Sequence, residues 1–382
     1  MTVRFGDSEL PAAADVVVVG GGLIGLFTAF FAARAGLGRV VVLERKDAVA
    51  ALTSAHSAEG FRLEWDAPEN VAMVRDSVSV FEQFGELTGA PGLDIGFRQP
   101  GYLFLSSSAP PAYRPALLPE RVRRWRERGL DDVELLSGDE ARRRFSFVSE
   151  AVEHAHFRAG DGFVDASALA RGLVTGGEFD TVVAAPAAAI ETEGSRVGAV
   201  RLASGRTVAT GTAVLAGGPF TRRLAEAAGA PLATANRRRH GVILHLPHGI
   251  VDPGWPMVVD ADLGLYWRPR PEGLFVGWER ALPWDQAPAE PLDPVPADVT
   301  YLEQVRAHGR RLNRFWPDLR FDQVTWHTGQ YVNTAYEGRG VMAAPAGGQL
   351  LVRLLLGEED AGASPFRVSA GGRGSEPDGM VL

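Results

Sequence analysis

Apolar runs that end in glycine mark the start of the chain. Val16 to Val19 are four consecutive valines, Gly20-Gly21-Gly22 follow, and an apolar stretch resumes at Leu23. A short uninterrupted β-branched run reads as a parallel strand buried on both faces, and the glycines after it as a tight turn. The pattern predicts a strand over 16–19, a helix over about 23–35 and a strand over 40–43, one βαβ unit of about thirty residues. From Glu69 to Leu87 the apolar residues Val71, Val74, Val78, Phe81 and Phe84 recur three and four apart, the period of a helix. Strand-like runs follow at Phe97 and 102–105, then a charged helix at 121–128, a helix opening at Gly138 and another near 166–173. Ser204-Gly205 joins two alternating runs, 196–202 and 207–209, with hairpin chemistry. Val214-Leu215-Ala216 then meets Gly217-Gly218, a second apolar strand ending in glycines.

The second half reads as strands at 242–246, 257–259, 265–268 and 274–277. A Pro-rich surface connection (283–296) and a helix over 301–315 come next. A short apolar strand at Tyr331-Val332 leads through Gly338-Arg339-Gly340-Val341 to a helix from about Ala343 to Leu356. Residues 372–382 are expected to form a disordered tail.

Composition narrows the classes. At 382 residues, 46% hydrophobic and 23% charged, the chain is long enough for two linked domains. Its net charge of −8 argues against a general affinity for nucleic acid or anionic membranes. The absence of cysteine removes disulfides, thiolate catalysis, Cys-ligated zinc and iron–sulfur clusters. Lys46 is the single lysine, so a Walker-type loop and Schiff-base chemistry have no residue to carry them. The uncharged stretch 16–33 has the length of a membrane span, but its valine run and glycine break are those of strand, turn and helix. Asp15 interrupts the region where a signal peptide would begin its apolar core, so a soluble, cytoplasmic protein is expected. His154/His156 and His245/His248 are pairs without a third ligand, and no metal site is expected.

The informative motif is Gly20-x-Gly22-x-x-Gly25, with Leu23 and Ile24 inside it, set between a predicted strand and helix. The first glycine permits the turn and the second lets backbone N–H groups approach a pyrophosphate. The third lets helix and strand pack closely. The helix N-terminus adds its partial positive charge. Glu44, 19 residues after Gly25, ends the next strand and suits a ribose hydroxyl. It disfavours a 2′-phosphate, although Arg45 stands beside it. The motif alone leaves NAD and FAD open.

Further segments decide between them by resemblance. Thr53–Arg62 (TSAHSAEGFR), Glu69-Asn70, Gly96–Leu105 (GFRQPGYLFL), Asp161–Asp165 (DGFVD), Val214–Phe220 (VLAGGPF) and Glu337–Gly347 (EGRGVMAAPAG) stand in one order. In that order the chain resembles the FAD-dependent oxidoreductases of the D-amino-acid oxidase and sarcosine oxidase superfamily, nearest the sarcosine/dimethylglycine and glycine oxidase branch. The resemblance implies an α/β fold: a Rossmann-like FAD-binding domain (1–90, 151–235 and 321–371) and an α+β substrate domain on an antiparallel sheet (91–150 and 236–320). It implies non-covalent FAD contacted by Thr53, Ser54, His56 and Ser57, with Gly217-Gly218 closing over it. His56 is also the position to test for covalent attachment. Gly338, Arg339, Gly340 and Val341 match the stretch facing the flavin pyrimidine edge, where Arg339 would meet negative charge on the reduced ring; a solvated loop arginine is the plainer alternative.

Arg62, His240, Tyr266, Trp267, Arg268 and Trp278 are the substrate-side candidates, an arginine suiting a carboxylate by bidentate pairing. Trp267 and Trp278 read equally well as core. Two departures stand out. Phe275 falls where simple sarcosine oxidases place a lysine that speeds the reaction with oxygen, so another electron acceptor is in play. A strand–turn–strand segment before the final glycine-rich stretch is also missing, which would bring His327, Tyr331 and Tyr336 nearer the site. The activity implied is oxidation of a C–N bond in an amino acid or related small amine acid, by hydride transfer to flavin N5 and hydrolysis of the imine. The rivals are a 2-hydroxy-acid dehydrogenase on the same fold and a flavin-binding relative without activity. The Gly-Asp-Ala-Ala-His-like stretch of flavin hydroxylases is absent.

Overall fold

The computed structural model describes residues 3–107, 118–194, 196–232, 236–278, 298–321, 323–333, 339–360 and 363–364. The strands, numbered in chain order, are β1 (Val3–Phe5), β2 (Val16–Val19), β3 (Val40–Leu43), β4 (Gly60–Phe61), β5 (Tyr102–Ser106), β6 (Val133–Ser137), β7 (His154–Arg158), β8 (Gly162–Phe163) and β9 (Asp180–Val183). They continue as β10 (Ala187–Glu193), β11 (Arg196–Leu202), β12 (Thr207–Ala209), β13 (Thr212–Leu215), β14 (Asn236–His245), β15 (Met257–Asp260), β16 (Leu265–Arg270), β17 (Gly273–Trp278) and β18 (Val324–Asn333).

The first layer is a parallel sheet in the order β1-β9-β3-β2-β13. Its valine-rich strands are buried on both faces, as the unbroken runs predicted. Val16, Val18, Val40 and Val42 face the helices α1 (Leu23–Arg34), α2 (Pro68–Glu82), α6 (Ala166–Gly176) and α9 (Gly340–Leu356). Val17, Val19, Val41 and Leu43 face the antiparallel meander β10-β11-β12. Helices α1 and α9 cross closely at Gly348, where a Cβ would come within 3.0 Å of Phe27 and Thr28 backbone atoms.

The second layer is a mixed, mostly antiparallel sheet, β18-β14-β17-β16-β15-β5-β7-β6. Its outer face carries Leu103, Val242, Leu244, Val258, Leu265, Trp267, Leu274, Val276 and Trp278 against residues 145–148, 301–305 and 312–319. Its inner face carries Tyr102, Phe104, Ile243, Met257, Val259, Tyr266 and Phe275. Period-2 alternation separates the two sets residue by residue.

Several expectations change here. β7 and β18 pair within the antiparallel sheet, so residues 154–158 and 324–333 leave the FAD-binding segments proposed from sequence. The helix expected over 301–315 is α8 (Val299–Gly309) only. A Cβ at Gly309 would come within 1.9 Å of the Trp316 ring, and Asn313 donates to the Gly309 carbonyl, so the chain turns there. The short strand expected at 331–332 is the end of the ten-residue β18, paired with β14 along most of its length. Among the described residues, β13 pairs with a strand only on its β2 side. The Pro-rich connection 283–296, Tyr336, Gly338 and the tail 372–382 lie outside the described residues. Among the described residues, no helix is long and apolar enough to cross a membrane.

Candidate active site

The cofactor groove is built by two glycine turns in contact. Gly20 adopts φ 118°, which only glycine takes easily, and a Cβ there would meet the Ala216 carbonyl oxygen at 2.3 Å. A Cβ on Gly25 would meet the Gly20 oxygen at 1.9 Å, so strand end and helix start touch through bare backbone. Gly22 caps α1, and the Leu23 N–H donates to Ser54 Oγ at 3.2 Å. A Cβ at Gly22 would meet only Ser54 Oγ, and one at Gly218 or Gly340 nothing within 4 Å. These backbones face a groove rather than protein, the cradle a pyrophosphate requires.

Glu44 is fixed by two backbone N–H groups. Its Oε2 accepts from the Gly21 N–H at 2.7 Å and its Oε1 from the Lys46 N–H at 2.8 Å. Burial pushes its carboxyl above the usual range, against the pull of those N–H groups and of Arg45. The Arg45 guanidinium lies 4.2 Å from the Phe220 ring centroid, tying this loop to the turn after Gly217-Gly218. Ser57 Oγ donates to the Ser54 carbonyl and accepts from the Glu59 N–H, and the His56 N–H donates to the Leu52 carbonyl. The loop with Thr53, Ser54, His56 and Ser57 is therefore an ordered turn beside Gly22. Val341 is buried in the first turn of α9, and Arg339 is its N-cap residue. The residues present fit FAD.

The inner sheet face lies against the segment after this loop. One transverse row runs Gly241, Gly277, Tyr266, Val259, Phe104, His156 in register across six strands. The Tyr266 ring lies over Gly277, where a Cβ would come within 2.3 Å of it. The Tyr102 hydroxyl occupies the space a Cβ on Gly60 would fill. His156 stacks on Phe104, with ring centroids 4.4 Å apart, and burial holds its pKa down to about 3, so it is neutral.

Four sequence candidates have other work. His240 lies on the outer face with Tyr301, whose hydroxyl donates to the His240 carbonyl at 2.8 Å; alternation puts Arg239, not His240, on the Ile243 side. Trp267 and Trp278 belong to the outer core, resolving their two readings. Arg268 is on the inner side but ion-paired with Glu59, and its Nε donates to the Ala58 carbonyl at 2.6 Å. Burial lowers its pKa to about 10 despite the Glu59 charge, which leaves it cationic.

The remaining cations converge on an indole that sequence reasoning missed. The Arg62 guanidinium lies 3.6 Å from the Trp65 ring centroid and 5.3 Å from that of Phe104; that of Arg339 lies 5.0 Å from Trp65. Arg62 is only 1% exposed. Below it, burial and then the Glu64 charge and hydrogen bond raise the Asp161 carboxyl well above its usual range, against the pull of Arg158. His327 pairs with Gly241 in β18, but its side chain and that of Tyr331 lie outside the described residues. No apolar period marks Trp65, Glu59 or Asp161, which stand in loops and short turns.

The profile of a family described as FAD dependent oxidoreductase (DAO) matches residues 15–354. FAD-dependent oxidoreductase domain-containing protein 1 of Xenopus laevis is 26% identical, across 87% of this chain and 72% of that protein. Glycine oxidase of Bacillus licheniformis is 29% identical across 52% of this chain and 51% of its own. Among solved structures, glycine oxidase from Geobacillus kaustophilus has a TM-score of 0.77 at 19% identity, covering 94% of this chain and 99% of that one. L-proline dehydrogenase from P. horikoshii has a TM-score of 0.76 at 18% identity, covering 92% and 95%. The shared fold runs through both layers.

Proposed function

Because the chain belongs to the FAD-dependent oxidoreductases of the D-amino-acid oxidase type, we propose that it oxidises the C–N bond of an amino acid or a related small amine acid, with FAD held non-covalently. The relatives named glycine oxidase and dimethylglycine dehydrogenase support that substrate class. The observation that carries the reading is the pairing of an apolar wall (Tyr102, Phe104, Tyr266 and Phe275) with two cations stacked on Trp65.

Bound FAD supplies the two-electron acceptor for the α-carbon hydride. The Gly20–Gly22 backbone would approach its pyrophosphate and Glu44 its ribose, while Gly25 lets helix and strand pack closely behind them. Arg339, with the N-terminus of α9, would face the edge that turns negative on reduction. Arg62 faces the substrate carboxylate; enclosed between Trp65 and Phe104, it would form a desolvated, charge-assisted pair. The wall excludes water while the amine, in its neutral form, is held with its α-carbon toward the ring. His156, neutral down to about pH 3, supplies no charge to the substrate and takes no proton from it. The imine leaves and hydrolyses in solution.

The test is an anaerobic screen of the yellow holoenzyme. Bleaching by amine acids supports the reading, whereas bleaching by 2-hydroxy acids alone replaces it and no bleaching by any donor defeats it. Acid should release free FAD; colour in the precipitate points to covalent attachment, with His56→Ala the variant that checks it.

A further inference from the structure

We infer that Trp65 is a positioning residue: its indole holds the Arg339 guanidinium at the start of α9 and, through that charge, sets how readily bound FAD is reduced. This rests on the reading that Arg339 faces the flavin.

Trp65 is itself clamped. Its N–H donates to the Leu63 carbonyl at 2.7 Å and its Nε1–H to the Arg62 carbonyl at 2.8 Å. Its own carbonyl accepts from Trp125 Nε1 at 3.1 Å and Arg128 Nη1 at 3.3 Å. Arg62 Nη1 donates to the Glu64 carbonyl at 2.6 Å, folding that guanidinium back onto the ring. The indole is thus a rigid, water-free surface shared by two cations that repel one another. A ring quadrupole attracts each of them, indole most strongly. Arg339, as the N-cap residue, has a backbone fixed by the helix, its carbonyl accepting from the Ala343 N–H at 2.9 Å. Its side chain rests on the Trp65 ring.

A charge held in place stabilises developing negative charge without reorganising; the same charge loosened into solvent does much less. Trp65 therefore contributes to the reduced state through Arg339.

The experiment is a dithionite redox titration of the holoenzyme as wild type, Trp65→Phe, Trp65→Leu, Arg339→Ala and the two double variants. Trp65→Leu should shift the reduction equilibrium against the reduced form by about 2- to 30-fold. Trp65→Phe should shift it less, because phenyl keeps a weaker quadrupole. In the Arg339→Ala background neither change should shift it further. Equal shifts with and without Arg339 would overturn the inference, because Trp65 would then act elsewhere. Should the Leu variant not fold, the Phe pair still closes this comparison. If Arg339→Ala lowers the potential while both Trp65 variants leave it unchanged, the inference alone fails. If Arg339→Ala leaves it unchanged with FAD bound, the reading of Arg339 fails and takes this inference with it.

Discussion

Glu59 and Arg268 join the loop after the cofactor turn to the antiparallel sheet through a buried ion pair, although Glu59 holds a backbone φ of 56°. The same carboxylate takes Arg270, and its other oxygen accepts from the Ala166 N–H at 2.9 Å. A left-handed conformation costs a non-glycine residue about 1–2 kcal/mol, and the contacts to Arg268, Arg270 and Ala166 oppose that strain.

Glu59→Ala should destabilise the protein by about 3–5 kcal/mol, because it leaves the buried Arg268 guanidinium without its anion and Arg270 with only Glu272. Glu59→Gln should lose less, since its amide oxygen still accepts from Ala166. Urea denaturation of the three proteins checks this; a loss below about 1 kcal/mol for the Ala variant would show the pair to be screened by solvent.

The two glycines of the cofactor turn should fail differently. Gly25→Ala places a methyl on the Gly20 carbonyl and should cost both folding and FAD. Gly22→Ala has only Ser54 Oγ nearby, at 3.5 Å, so it should keep the melting temperature and weaken FAD retention. The ratio of flavin to protein absorbance, read beside a thermal melt, separates the two. Equal losses would mean that Gly22 does not face the pyrophosphate.

Phe275 is fully buried in the inner wall, in register with Ile243 and Arg268. With an uncharged ring there, the reduced enzyme should react with oxygen slowly, and an artificial acceptor such as ferricyanide should raise turnover. Stopped-flow mixing of reduced enzyme with aerated buffer measures this directly; a fast, saturating oxygen reaction would remove the role assigned to the phenylalanine.

Asp161 carries a raised pKa, so the fold binds a proton that the unfolded chain releases. Its contribution is full below the ordinary Asp value of 3.8 and declines as pH rises through the folded value. Asp161→Asn mimics the protonated acid, keeping the acceptor for the Leu63 N–H while its amide can donate to Glu64. The stability of wild type relative to this variant should therefore fall as pH rises above about 4, by at most about 1.4 kcal/mol per pH unit. Parallel pH–stability curves would mean that the Asp161 carboxyl is not raised in the folded protein.

The βαβ unit, the second glycine turn and most sheet strands were legible because each is local: an apolar run, a glycine at a forced angle, an alternation of two. The site's substrate half was not. His240 and Arg239 are neighbours, and only the register of β14 against β17 decides which of them faces Ile243's side of the sheet. Glu59 meets Arg268 across more than two hundred residues, and Trp65 brings the nearby Arg62 together with Arg339, which is distant in the chain. Such pairings depend on how layers stack, which no window of sequence contains. The short strands β4, β8 and β9 escaped for a related reason, being held by partners far along the chain rather than by their own composition.

The alternation along β14, β16 and β17 bears on how this enzyme can change over evolutionary time. Tyr266, Phe275 and Gly277 point one way and Trp267, Leu274 and Val276 the other, separated by a single thickness of backbone. A point substitution on the reacting side can reshape what the enzyme accepts while the opposite side keeps its packing. An inserted or deleted residue would exchange the two sets at once, sending tryptophan into the catalytic space and tyrosine into the foundation. New specificities on this scaffold are therefore reachable by replacing residues within the strands, and changes of length are confined to the loops that join them.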